Sequence, residues 1–215
     1  MAAPTEVDAH EQLIEHWIDE ATAALALEHA MPVEQRNPSV PRCPGLYAIH
    51  ASAAVWLELG LGDPPDERML YVGKSVSSLA GRDIGSHFGY SSPGRSTSIT
   101  GYSTLRRSIA ALRHDSVGFR GAPRNPVNPG RYSNFGLTCE QDELLSEWMR
   151  KRLTLACWPK PDNCDIKRLE QIERAIFRRL QPPLNLKDVV TPWKPKLDAA
   201  RRLMAVEARE EGTTR

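Results

Sequence analysis

Residues 69–75, Met-Leu-Tyr-Val-Gly-Lys-Ser, end in Gly-Lys-Ser, the tail of a nucleotide-binding loop. Such a loop needs a second glycine five residues before Gly73, and that position is Arg68. No glycine lies between Gly62 and Gly73, and residues 68–72 have strand composition, so the nucleotide-loop reading is set aside. What remains is the Tyr71 hydroxyl on a strand, beside a glycine that allows close backbone approach. Gly45-Leu46-Tyr47 repeats the pattern. Lys74, Arg82 and His87 follow Tyr71, and Lys and Arg at such positions neutralise phosphates. The plain alternatives are core tyrosines and ordinary surface charge.

Glu173 is the most informative single residue. On a helical wheel it falls about 40° from Leu169, inside the stripe formed by Ile166, Leu169, Ile172, Ile176, Phe177 and Leu180. Lys167, Arg168, Arg174, Arg178 and Arg179 take the opposite side. A core-facing carboxylate is costly to bury unless a cation pairs with it or a metal binds it. A structural salt bridge and a functional carboxylate both remain open. Pro182 and Pro183 end this helix, and Asn185 sits in the rigid turn that follows.

Periodicity supplies the elements that must position these groups. An amphipathic helix is expected over 9–30, strands over 45–50 and 68–73, and a weak, glycine-interrupted helix over 77–88. A helix follows over 102–113, capped by Ser103 or Thr104. A long basic loop spans 115–134. Then come a helix over Cys139–Leu153, a third strand over 153–158, a helix over Asp165–Leu180 and a charged helix over 196–211. Residues 51–60 read as helix or strand. This order implies an α/β layer structure with a small three-stranded central sheet flanked by helices.

The net charge of +1 conceals segregation. Residues 1–70 hold 3 Lys/Arg against 12 Asp/Glu, whereas residues 71–131 hold 9 against 2. The middle third is therefore expected to face a polyanion. Arg106 and Arg107 on helix 102–113, with Arg120 and Arg124 in the basic loop, are the candidates for gripping a nucleic-acid backbone. The four cysteines form no Cys-x-x-Cys pair, which suits free thiols in a reducing cytoplasm. There is no signal-peptide pattern and no apolar run long enough for a membrane helix.

Taken in order, Gly45-Leu46-Tyr47, Tyr71-Val72-Gly73, Arg82, the core-facing Glu173 and the Pro182-Pro183-Leu184-Asn185 ending resemble the GIY-YIG nuclease superfamily. The similarity covers about residues 44–188, leaving an acidic helical extension over 1–43 and a C-terminal helix over 189–215. The resemblance implies one divalent ion, Mg2+ or Mn2+, held by Glu173. It places Tyr47 and Tyr71 near a scissile phosphate, one of them orienting or deprotonating the attacking water. It assigns Arg82 to the charge that builds on the phosphate, Asn185 to bracing the site, and Lys74 and His87 to phosphate contact or proton handling. His87 stands five residues after Arg82, a spacing that a regular α-helix turns by about 140°. The function implied is a metal-dependent endonuclease acting on nucleic acid, DNA ahead of RNA. The alternatives are a nucleic-acid-binding module with little catalysis, and an interaction protein whose acidic helix docks a partner.

Overall fold

The computed structural model describes residues 6–34, 40–81, 85, 87–89, 98–127 and 130–214. Its centre is an antiparallel sheet of four strands, β1 (Met31–Pro32), β2 (Gly45–Ala51), β3 (Tyr71–Ser75) and β4 (Leu153–Pro159), in the order β1-β4-β2-β3. The expected count of three is thus corrected to four. The extra strand is a two-residue edge piece, too short for any alternation to reveal. The helices are α1 (Glu6–Ala24), α2 (Ala53–Glu58), α3 (Thr104–Leu112), α4 (His114–Val117), α5 (Cys139–Arg152), α6 (Ile166–Leu180) and α7 (Lys194–Thr214). No described helix is long and apolar enough to cross a membrane.

The ambiguous stretch 51–60 resolves as helix α2, opened by Ser52. Ser103 caps α3 by accepting the Arg106 N–H, Thr138 caps α5, and Asp165 caps α6 by accepting the Arg168 N–H. The expected long loop over 115–134 is partly organised. Helix α4 opens it, and Ala122 and Gly136 form a bridge across its far end.

Alternation along the strands builds two cores. Leu46, Ala48, Val72, Ala156 and Trp158 face α1 and α6, packing on Trp17, Ile18, Ala21, Leu169, Ile172 and Ile176. Tyr47, Ile49, Tyr71, Leu153 and Leu155 face the other way, into a core with Leu105, Ile109, Leu145, Met149, Leu197 and Met204. The acidic helix α1 therefore spends its apolar face inside the molecule, and Asp19 pairs with Arg179 of α6 at 2.7 Å.

Two close fits fix the Tyr47 side of the sheet. Tyr47 lies opposite Gly73 in the β2–β3 register. A Cβ at position 73 would fall well inside contact distance of the Tyr47 Cζ and Oη, so the glycine is there for the ring and needs no unusual φ. Beneath this, Arg106 is fully buried. Its guanidinium donates to the His87 carbonyl at 2.7 Å, to Thr100 Oγ1 at 3.0 Å, and to the Asp142 carbonyl and Ser146 Oγ at 2.9 and 3.0 Å. It also pairs with Asp142 Oδ1 at 3.1 Å. Burial pulls the Arg106 guanidinium below its ordinary range, and Asp142 opposes that pull.

Asp142→Ala should leave Arg106 buried without a counter-charge and cost about 3–5 kcal/mol, read as a lowered denaturant midpoint. Gly73→Ala should push the Tyr47 ring out of its seat. A destabilisation of about 1–3 kcal/mol with an altered near-ultraviolet tyrosine signal is expected, and an unchanged midpoint would contradict the fit.

Candidate active site

A cleft of about 560 Å3 opens beside the outer edge of β3, lined by Tyr47, Tyr71, Gly73, Lys74, Ser75 and Glu173 among others. Because β3 is the edge strand, groups from both faces of the sheet reach this cleft. Tyr47 and Tyr71 come from the face that packs on α3, their ring centroids 6.1 Å apart. Lys74 is half-buried on the α6 side, where Glu173 meets it.

The strand edge is held by the turn after α6. The Val72 N–H donates to Asn185 Oδ1 at 2.9 Å, and Asn185 Nδ2 donates to the Val72 carbonyl at 2.8 Å. One residue earlier, the Leu184 N–H donates to the Leu70 carbonyl at 3.0 Å. Residues 184–185 thus act as a short substitute strand. The pairing ties the end of α6, and through it Glu173, to the strand that carries Tyr71 and Lys74.

On the α6 side, Lys74 Nζ donates to Glu173 Oε2 at 2.6 Å and stands 3.7 Å from Glu170 Oε1. Glu173 is 8 % exposed. Burial pushes its carboxyl above the ordinary range, and the hydrogen bond and charge of Lys74 oppose that only in part. A carboxylate that keeps an unmet need for positive charge, at the wall of a cleft, suits a divalent cation. Among the described residues no group of three or more His, Cys, Asp or Glu side chains converges. The donor set is therefore one carboxylate, a pattern that Mg2+ accepts when waters and substrate phosphates fill its other positions.

On the opposite side, the Tyr47 hydroxyl lies 2.6 Å from His87 Nε2, and His87 Nδ1 lies 2.7 Å from Ser103 Oγ. All three are almost fully buried. Ser103 Oγ already accepts the Arg106 N–H at 3.1 Å. Whichever ring nitrogen of His87 carries the proton donates to its neighbour, Ser103 Oγ from Nδ1 or the Tyr47 oxygen from Nε2, and the other nitrogen accepts. The backbone at His87 is π-helical. Arg106 and Arg150 hold the carbonyls of His87 and Phe88 at 2.7 and 3.0 Å. Arg82 lies outside the described residues.

The backbone-gripping candidates divide. Arg106 is corrected from a phosphate ligand to a structural hub, because all its contacts are internal. Arg107 is also mostly buried, donating to the Gly101 carbonyl at 2.6 Å. Arg120 is exposed and lies 3.7 Å from Glu207. Arg124 stacks over the Tyr102 ring at 4.6 Å. Sequence reasoning reached Ser103 only as a helix cap. Its second role depends on a contact across 16 residues that no local pattern encodes. Arg201 was hidden in a helix that reads as uniformly charged, yet burial lowers its guanidinium to about 10.

The family model described as the GIY-YIG catalytic domain matches residues 61–205, about two thirds of the chain. The match begins after Tyr47 and runs into α7, taking in Tyr71, Lys74, Glu173 and Asn185. No curated protein and no solved structure matches the chain. The β3 edge, the buried carboxylate facing it and the Asn185 clasp all fall within the matched span, and the chain belongs to the GIY-YIG catalytic domain family.

Proposed function

We propose that this protein is a metal-dependent endonuclease that hydrolyses phosphodiester bonds in DNA. The observation that carries the reading is the convergence of two unlike pairs on one cleft: Tyr47 with His87, and Lys74 with Glu173. A core that only needed filling would not place a buried carboxylate, a lysine and two phenols around open space.

Glu173 would hold a divalent ion, Mg2+ or Mn2+, which when bound supplies Lewis-acid stabilisation of a phosphoryl oxygen. Lys74 sits where it can leave Glu173 for a phosphate oxygen, exchanging one anion for another without crossing the cleft. With Nε2 unprotonated, His87 would take the Tyr47 hydroxyl proton, and the resulting phenolate would accept a proton from an attacking water, leaving His87 as the imidazolium. Ser103 Oγ, 2.7 Å from His87 Nδ1, orients the ring. Tyr71 frames the far side of the same space. Arg82 is assigned to charge on the phosphate by the resemblance. The choice of DNA rests on the resemblance too, and RNA substrates belong in the test.

Glu173→Gln should reduce Mg2+- or Mn2+-dependent cutting of single- and double-stranded DNA by at least about 100-fold. A carboxyl raised by the fold costs stability once ionised above its unfolded value, and that cost disappears as pH falls through the raised value. The neutral amide should therefore hold or raise the melting temperature. Cutting that survives undiminished in Glu173→Gln would overturn the site, and a wild-type protein that cuts neither DNA nor RNA would overturn the activity.

A pH profile gives a second check. Ionised Glu173 is the form that holds a cation, so activity should fall on the acid side at a higher pH than an exposed glutamate would set. Lys74 is what holds that carboxyl down, so Lys74→Met should move the acid limb further up in pH. A limb that stays in place in this variant would break the link between the pair and the reaction.

A further inference from the structure

A second cluster of cations lies on the Tyr71 side of the cleft, where α3 and α7 cross over the sheet. Arg107 of α3 is 8 % exposed, and its Nε is buried without a hydrogen-bond partner. Its two terminal nitrogens donate to the Gly101 carbonyl at 2.6 Å and to Thr104 Oγ1 at 3.3 Å. Arg201 of α7 reaches the same turn, donating to the Thr104 carbonyl and to Ser108 Oγ, both at 3.3 Å. Both guanidiniums lie within electrostatic reach of Tyr71, and Arg201 feels the charge of Arg107 directly. Arg124 is within reach of Arg107 and stacks on Tyr102, which is 57 % exposed.

None of these three arginines forms an ion pair with a carboxylate among the described residues, in a chain where Arg106, Arg113, Arg150, Arg152 and Arg179 all do. Holding two like charges side by side in a half-buried site costs free energy. The fold has acceptors enough to orient them, yet it offsets Arg201 only through the fields of Asp198 and Tyr71 and the Phe135 ring at 5.9 Å, with no paired carboxylate among the described residues. An arrangement that is oriented but not neutralised fits an anion brought by a ligand. The guanidinium fork matches phosphate oxygens, and an exposed aromatic ring beside it matches a base.

We propose that Arg107, Arg201 and Arg124 form a phosphate-binding track leading away from the Tyr71 side of the cleft, taking backbone phosphates of the nucleic acid next to the bond that is cut, with Tyr102 stacking on a base. This rests on the nuclease reading for its direction, and it adds residues that bind rather than react. It also gives α7 a part in substrate binding.

Binding and cutting separate the two claims. Fluorescein-labelled single- and double-stranded DNA of 20 nucleotides is titrated by anisotropy in chelator, where no cutting occurs, across a salt series. Arg201→Gln and Arg124→Gln should each weaken binding at least about 5-fold at moderate salt and lower the slope of log affinity against log salt by about one. Arg202→Gln, exposed on the same helix, serves as the control and should change neither. The melting temperature of Arg201→Gln should hold or rise, because a repelling charge has been removed. Tyr102→Ala should weaken single-stranded binding without changing the salt slope. If Arg201→Gln and Arg124→Gln keep wild-type affinity and slope, the track is wrong even if the protein cuts DNA. Loss of binding in these variants with no cutting by the wild type upholds the track and rejects the nuclease. A wild type that binds no DNA rejects the track.

Discussion

One side-chain amide holds the site together. Asn185 pairs with both backbone groups of Val72, as a neighbouring strand would. An edge strand with unmet donors and acceptors is loosely placed, because only one of its sides is fixed. Here the missing side is supplied at Leu70 and Val72 by the turn that closes α6. The carboxylate on that helix and the lysine on that strand are thereby set at 2.6 Å from each other. The two prolines before Asn185 restrict the turn, so little freedom remains to be lost when the amide docks.

Charge in this protein is distributed differently in space than along the chain. The basic middle third does not form a uniform basic face, because Arg106, Arg107 and Arg113 are buried. Arg113 reaches back into the acidic first third and pairs with Glu58 at 2.7 Å, which also receives Arg152 and the Trp148 indole N–H. Arg106 and Arg113 are thus neutralised inside the molecule, while Arg107 is buried without a carboxylate partner among the described residues. Arginine tolerates this better than lysine, since its planar donors can satisfy several carbonyls at once.

What could be read in advance follows the range of each interaction. Glu173 was legible because a helix repeats its environment every turn, and the flanking residues place it on the apolar stripe. The Ser103 cap and the two long strands of the β2–β3 pair were legible for the same local reason. Arg106 was misread, because a nine-residue helix carrying two adjacent arginines gives no sign that both turn inward. The strand signal over 68–73 began too early: the ladder starts at Tyr71 and continues through the Gly-Lys-Ser that a loop would have claimed. Contacts between distant segments, such as His87 with Ser103 or Arg201 with Thr104, have no periodic trace at all.

The two-residue strand β1 has a consequence for association. Its second residue is Pro32, which lacks an N–H, so that border of the sheet offers almost nothing for another chain to pair with. The opposite border is occupied at Leu70 and Val72 by the chain's own turn. Among the described residues, each border thus offers a shorter run of open backbone than a full edge strand would. A short, proline-bearing border and one clasped by its own turn both lower the tendency of the sheet to pair edge to edge.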